Sequence, residues 1–224
     1  MNALILLMLA MAACIAYLSW RLAQQSRRHH RAKRRAERLA RVLLTLSRAN
    51  RMVLRIDDER ELFSEACRIC IDAGHAMLAT VYLKQDHLAH RVASAGPAAE
   101  VLRRVPDPLD LSDPAFQGTY TAGVLREGVS AVSNDYGLDA RAGRWRTEAV
   151  AEGIRSIAWI PVRRGDATVA ALMICAGEPD FFDAELLALL EELGADLSYA
   201  LDVIDGRRAR DQAVREAEAI RRAS

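Results

Sequence analysis

The chain has 224 residues, with 31 Lys and Arg against 30 Asp and Glu. The near-balance conceals a split: residues 21–41 hold 9 basic and 1 acidic side chains, which leaves 22 basic against 29 acidic elsewhere and excludes nucleic acid as a ligand of the net-negative remainder. About 165 residues follow the basic segment before a last polar helix, the length of one ordinary domain with its own core, not two.

The first element is an uncharged run rich in Leu, Met and Ala from Ala3 to Trp20. As a helix it spans about 27 Å, enough to cross the core of a bilayer. A cleaved secretory signal would need basic residues before the run and a small-residue site after it, but Met1-Asn2 carries no side-chain charge and Ser19-Trp20-Arg21 is a poor cleavage context. The charge lies behind the run instead, in Arg21, Arg27, Arg28, Arg31, Lys33, Arg34, Arg35, Arg38 and Arg41. Residues 1–20 are therefore expected to be a transmembrane anchor and residues 21–38 a basic juxtamembrane linker. The positive-inside rule makes this a single-pass protein of the inner (cytoplasmic) membrane, with the soluble domain in the cytoplasm. Clustered Arg is also the footprint of a phosphate-contacting arm, but no aromatic residue interleaves to stack on bases, and anionic headgroups account for the charge. His29 and His30 belong to the same solvated stretch.

Beyond the linker, Leu39, Val42, Leu43, Leu46, Ala49, Asn50, Val53 and Leu54 recur at spacings of three and four, one stripe of an amphipathic helix. Asp57-Asp58 starts a second helix, with Leu62, Phe63, Ala66, Ile69, Cys70 and Ala73 on one face and Gly74 at its end. Met77–Lys84 and His87–Ala93 alternate as strands around a Gln85-Asp86 turn, and Pro97, Pro106, Pro108 and Pro114 break regular structure after them. Phe116–Arg126 reads as a short helix, and Val129–Ser133 as an extended run closing on Asn134-Asp135. After a polar loop, Glu152-Gly153-Ile154-Arg155-Ser156 leads into the apolar strand Ile157–Val162, and a turn at Arg163–Asp166 gives a second, Thr168–Ala176. Phe181-Phe182-Asp183 opens a long helix with Leu186, Leu189, Leu190, Leu193, Leu197, Leu201 and Ile204 in a stripe. Asp205-Gly206 and a charged helical tail through Arg222 follow. The fold class expected is α+β, a central antiparallel sheet bracketed by helices.

From Val129 to Ile204 these features, in this order, resemble the GAF domain, a small-molecule sensor module related to PAS. The marks are an Asn-Asp ending a strand, a Gly-x-x-Ser before a strand that ends in Pro, a hairpin, and a Phe-led final helix. The resemblance extends back to about Leu39. It implies a GAF-like sensor domain over residues 39–204, preceded by the transmembrane helix and closed by a C-terminal signalling helix with its charged tail at 205–224. In that fold a ligand sits between the sheet and the loops and short helices that cover it. The walls it implies are Tyr82 on the first strand, Phe116 and Tyr120 on the covering helix, Asn134 and Asp135 at the strand end, Trp145 and Glu148 in the lid, and Arg155, Ser156 and Trp159 around the Gly-x-x-Ser strand. Apolar walls with a few convergent polar groups suit a small polar ligand. Each residue also has a plainer role open to it: Asn134-Asp135 can cap a helix or close an Asx turn, Tyr82 and Trp159 can be core, and Arg155 can form a surface ion pair.

The dispersed Asn-Lys-x-Phe-x-Asp-Glu pattern of cyclic-nucleotide-binding relatives is not found here. Cys67, Cys70 and Cys175 are not placed for a tetrapyrrole thioether, or for the catalytic and resolving cysteines of methionine-sulfoxide reductase relatives. With Cys14 inside the apolar run, the four cysteines show no secreted disulfide pattern, so the soluble ones are expected to be reduced thiols. Cys67-x-x-Cys70 lacks the second ligand pair of a structural zinc site, and His87 and His90 on a period-two strand point to opposite faces. No metal site is expected, and the sequence names no cofactor. Without a P-loop, a nucleophile elbow, a kinase motif set or a Gly-Gly-Asp-Glu-Phe or Glu-Ala-Leu signature, no enzyme and no catalytic residue is expected. The resemblance implies a membrane-tethered homodimer in which an unidentified small molecule biases a parallel bundle of first and last helices. The signal would pass to a separate or missing output module, a downstream signalling protein. Two alternatives stand beside it: a ligand-free dimerisation scaffold at the membrane, its pocket filled by its own side chains, and a small redox enzyme using Cys67 and Cys70.

Overall fold

The computed structural model describes Tyr17, Arg21, residues 56–72 and residues 76–223. The chain divides into two units, Met1–Arg41 and Val42–Ser224. In the first, Tyr17 and Arg21 are helical and exposed; the rest of the expected span and of the basic linker, and the Leu39–Leu54 stripe, lie outside the described residues. Among the described residues no helix is long and apolar enough to cross a membrane.

The second unit opens with α1, Glu59–Asp72. The Asp58 carboxylate accepts from the backbone N–H groups of Arg60 and Glu61 at 2.9 and 3.0 Å, satisfying donors that a helix start leaves free. Strands β1 (Ala76–Gln85) and β2 (Leu88–Ala95) form a hairpin whose turn holds Asp86 at φ 55°, a left-handed conformation that Asp tolerates. A 3-10 segment, Pro97–Arg104, and a two-residue strand β3, Leu109–Asp110, follow. The expected single helix Phe116–Arg126 is instead two, α2 (Pro114–Gln117) and α3 (Tyr120–Glu127). Thr119 makes the break: its hydroxyl donates to the Phe116 carbonyl at 2.7 Å, ending one helix, and accepts from the Ala122 N–H at 3.3 Å, capping the next. Then come β4 (Ala131–Ser133), a 3-10 segment Ala140–Trp145, α4 (Arg146–Ala151), β5 (Ser156–Arg164), β6 (Ala167–Ala176) and α5 (Ala184–Ala223).

The six strands form one sheet in the order β3-β2-β1-β6-β5-β4, with each neighbouring pair antiparallel. Both faces are covered, so β5 and β6 read as continuous apolar runs while their side chains still alternate. On one face Val81, Ile160, Val162, Leu172 and Ile174 pack with Phe63 and Cys67 of α1 and with Leu186, Leu190, Leu193, Leu197, Leu201 and Ile204 of α5. On the other, Leu78, Tyr82, Ile157, Trp159, Ala171 and Cys175 meet the 3-10 segments and α2, α3 and α4. The leucine stripe of the last helix, expected to pair with a second copy, is thus the core of a single chain. Each of those leucines adds on the order of 2 kcal/mol of burial.

Helix α5 comes close to β5 because residue 194 is glycine: a Cβ there would stand 2.6 Å from Ile160 Cγ2 and 3.0 Å from the Pro161 carbonyl oxygen. Polar ties hold the β5–β6 hairpin to the same helix. The Arg163 N–H donates to Ser198 Oγ at 2.8 Å, and the Gly165 N–H to Asp202 Oδ1 at 3.0 Å. Arg164 bridges Glu59 of α1 at 2.8 Å and Asp205 of α5 at 3.0 Å. The helix does not pause at Asp205-Gly206: it runs unbroken for 40 residues, and residues 208–222 are exposed.

Candidate ligand pocket

The period of two along the strands places Leu78 and Tyr82 of β1, Ile157 and Trp159 of β5, and Met173 and Cys175 of β6 on the face away from α5. Opposite them stand Val101 and Leu102 from the first 3-10 segment, Phe116, Tyr120, Ala149, and Arg141, Ala142 and Trp145 from the second 3-10 segment. Between these walls lies a cavity of about 80 Å³. It is roughly half the size of the ~150 Å³ apolar cavity that accepts benzene.

Aromatic rings set its shape. Tyr120 stacks on Trp159 with centroids 4.3 Å apart and planes 13° apart, Phe116 stacks on Trp145 at 5.2 Å and 28°, and Tyr136 tilts against Trp159 at 6.4 Å. The polar groups around them are few and mostly engaged. Tyr136 donates its hydroxyl to the Ala142 carbonyl at 2.9 Å, and Trp145 Nε1 donates to the Arg104 carbonyl at 3.3 Å. Tyr120 donates to the Asp139 carboxylate and accepts from Arg141 Nη2 at 2.8 Å. The Arg141 guanidinium lies 4.1 Å from the Tyr120 ring centroid, a cation–π contact. Burial, reinforced by the Asp139 carboxylate, raises the Tyr120 phenol above its ordinary value. Burial alone would raise Asp139 too, but the hydroxyls of Ser133 and Tyr120, with Arg141, hold it below the usual carboxylate range. Tyr82 is pushed up to about 12 by burial.

One polar atom differs from these. Trp159 is 3% exposed, and its indole Nε1 is enclosed without a hydrogen-bond partner. An enclosed donor with no acceptor costs on the order of 1–3 kcal/mol.

Of the ten wall residues expected from the sequence, Tyr82, Phe116, Tyr120, Trp145 and Trp159 line this cavity. The other five stand elsewhere, and main-chain groups explain most of them. Asn134 clamps the approach to α5, donating from Nδ2 to the Phe182 carbonyl at 2.9 Å and accepting the Phe182 N–H at 3.1 Å. Asp135 is exposed, and its backbone carbonyl accepts from the N–H groups of Leu138 and Asp139 in a turn. Arg155 donates to the Val150 and Ile154 carbonyls at 2.8 and 3.0 Å, and the buried Ser156 donates to the Glu178 carbonyl at 2.7 Å. Glu148 is half-buried on α4, outside the wall. Sequence reasoning passed over Tyr136 and Arg141. The available signals were an aromatic residue in an otherwise polar loop and Asp139 two residues before Arg141, the spacing of a cap: Asp139 Oδ1 accepts the Arg141 N–H at 2.8 Å.

The thiols do not form a pair at the cavity. Cys67 and Cys70 lie on α1, on the far side of the sheet, and Cys175 alone lines the wall. Burial pushes Cys67 up to about 12 and raises Cys70 and Cys175 as well, the opposite of what a reactive thiolate needs. Among the described residues no group of three His, Cys, Asp or Glu side chains is placed to hold a metal ion.

Comparison with solved structures returns the same architecture. The GAF domain of a phosphoenolpyruvate-protein phosphotransferase from Coxiella burnetii superposes with a TM-score of 0.62 at 15% identity, covering 76% of this chain and 98% of that one. The free methionine-R-sulfoxide reductase from Neisseria meningitidis, in complex with its substrate, gives 0.62 at 13% identity, covering 75% and 93%. The GAF domain region of a Geobacter sulfurreducens PCA protein gives 0.55 at 19% identity, covering 65% and 94%. At these identities the likeness is one of fold. No curated protein matches the chain. The family model for the GAF domain matches residues 57–202, from the cap of α1 to the middle of α5. That stretch is more than half of the chain, which therefore belongs to the GAF domain family.

Proposed function

We propose that this protein is a sensory GAF module that binds a small molecule in the aromatic cavity and passes occupancy along α5 to a separate output protein. The supporting observation is Trp159: a buried donor without an acceptor, on a side chain lining the cavity, is what a site lacking its ligand leaves behind. The proposal keeps the membrane anchor at residues 1–20, the basic linker at 21–38 and a homodimer. Because the inner stripe of α5 is consumed by the sheet, the dimer would use the opposite side of the helix, where Tyr199 is 61% exposed. Enzymatic thiol chemistry is disfavoured by the separation and raised pKa values of the three cysteines.

Thermal unfolding of the full chain against nucleotides, amino acids, oxyanions, small neutral amides and ketones, haem and divalent metals tests this. A saturable rise in melting temperature that is lost in Trp159→Phe and kept in Asn134→Ala is the expected outcome. A second reading, the ligand-free scaffold, draws on the small volume of the cavity and the stacking of its rings. No response to any compound, together with disulfide trapping of Tyr199→Cys between copies, would establish that reading instead.

A further inference from the structure

The chemical character of the ligand can be taken further from the cavity wall; this step rests on the proposed binding role. Among the described residues, Arg141 is the only charged one lining the cavity. Its guanidinium is already spent on the Tyr120 ring and hydroxyl, and the Asp139 carboxylate beside it accepts from that same hydroxyl. Asp139 also accepts from the Arg141 backbone N–H at 2.8 Å. Cation and anion therefore offset each other at the rim, and no net charge remains to hold an anion or repel a neutral molecule. Inside the rim the wall is mostly apolar and aromatic, with Thr119 and Thr121 set into it, and Trp159 Nε1 is its enclosed donor with nothing to donate to. About 80 Å³ accommodates a handful of heavy atoms, well short of a nucleotide or a tetrapyrrole.

We infer that the cavity selects a small, uncharged, largely apolar molecule carrying one hydrogen-bond acceptor, a carbonyl compound in the size range of a simple amide or ketone, with that acceptor on Trp159 Nε1. A neutral acceptor satisfies the enclosed donor without bringing a second charge into an apolar space. A carboxylate of equal size would have to be stripped of water to meet a rim whose one cation, Arg141, is already offset by Asp139.

The indole N–H itself reports the outcome. The full chain, labelled with ¹⁵N at tryptophan and kept in detergent, gives indole signals for Trp20, Trp145 and Trp159. The first two are assigned through Trp20→Phe and Trp145→Phe, so Trp159 need not be altered. N-Methylacetamide and acetone are then titrated beside acetate, an anion of matching size, and beside adenosine monophosphate. The expected result is a saturable downfield movement of the Trp159 signal with the two neutral probes, at a Kd on the order of 1 mM, the affinity open to so few atoms. Acetate is expected to bind at least about tenfold more weakly, and the nucleotide to leave the signal in place. Tighter binding of acetate or nucleotide would overturn the neutral, small-ligand inference while leaving the cavity as a binding site. Silence of the neutral probes while another compound raises the melting temperature through Trp159 would do the same. Silence of every probe in both measurements would remove the binding role along with it.

Discussion

Asn134 offers the sharpest test of how the family's marker residues act. Its amide meets the main chain of Phe182 twice, with Nδ2 donating at 2.9 Å and Oδ1 accepting at 3.1 Å, and so joins the end of β4 to a residue 48 positions later. Phe182 is 3% exposed, so in Asn134→Ala neither its N–H nor its C=O gains full access to water. Two net hydrogen bonds at about 1 kcal/mol each, plus incomplete resolvation of the groups left behind, give a loss of about 2–4 kcal/mol. For a domain of this size the melting temperature should fall by about 5–15 °C. Asn134→Asp keeps the acceptor and loses the donor, and it should fall between parent and alanine variant. Circular dichroism melts of the full chain measure both. A drop of less than about 2 °C in Asn134→Ala would refute the clamp and return Asn134 to the ligand wall.

Three further outcomes follow from the packing and the titrating groups. Gly194→Ala would gain about 1 kcal/mol in an open helix, but here its Cβ would meet Ile160 and the Pro161 carbonyl. The crowding should make it net destabilising by about 1–2 kcal/mol in urea unfolding, and a variant as stable as the parent would contradict the close approach of α5 to β5. In a Cys14→Ser background, the three buried thiols should resist alkylation for hours at neutral pH. Their rate should go on climbing past pH 9, since burial holds them protonated, and stoichiometric labelling within minutes would revive the redox reading. Asp139 is held below the ordinary carboxylate range, so the stability it contributes is complete above a pH of about 4 and is lost as pH falls through its lower folded value. Asp139→Asn should therefore flatten the acid side of the melting-temperature profile, and an unchanged slope would place the acid sensitivity elsewhere.

The strands were legible because their two-sided burial writes itself as continuous apolar runs, and the turn at Asp86 and the cap at Asp58 sit close to where turn and cap chemistry put them. The break at Thr119 was hidden, since Phe116 through Arg126 keeps a helical pattern and one hydroxyl supplies the interruption. The aromatic members of the pocket were found because large rings, Tyr82 and Trp159 on strands and Phe116, Tyr120 and Trp145 in the covering segments, must go somewhere enclosed. The polar members were not: Asn134, Arg155 and Ser156 are polar residues in a loop-rich region whether they meet a ligand or a backbone carbonyl, and only the fold says which. The leucines of α5 carry the same ambiguity in apolar form. A stripe at helical spacing requires a partner surface, and its own sheet satisfies that requirement as well as a second copy would.

Past Ile204, the last buried residue of α5, the helix continues for about 28 Å to Ala223. An arm of that length turns angle into distance: a tilt of about 5° where it leaves the sheet sweeps its tip by about 2.5 Å, more than a rotamer change at the cavity could move anything directly. A polar helix this short is marginal when alone in water, so whatever docks along it also sets its stiffness. The rod is rigid enough to act as a pointer only when something is there to read it.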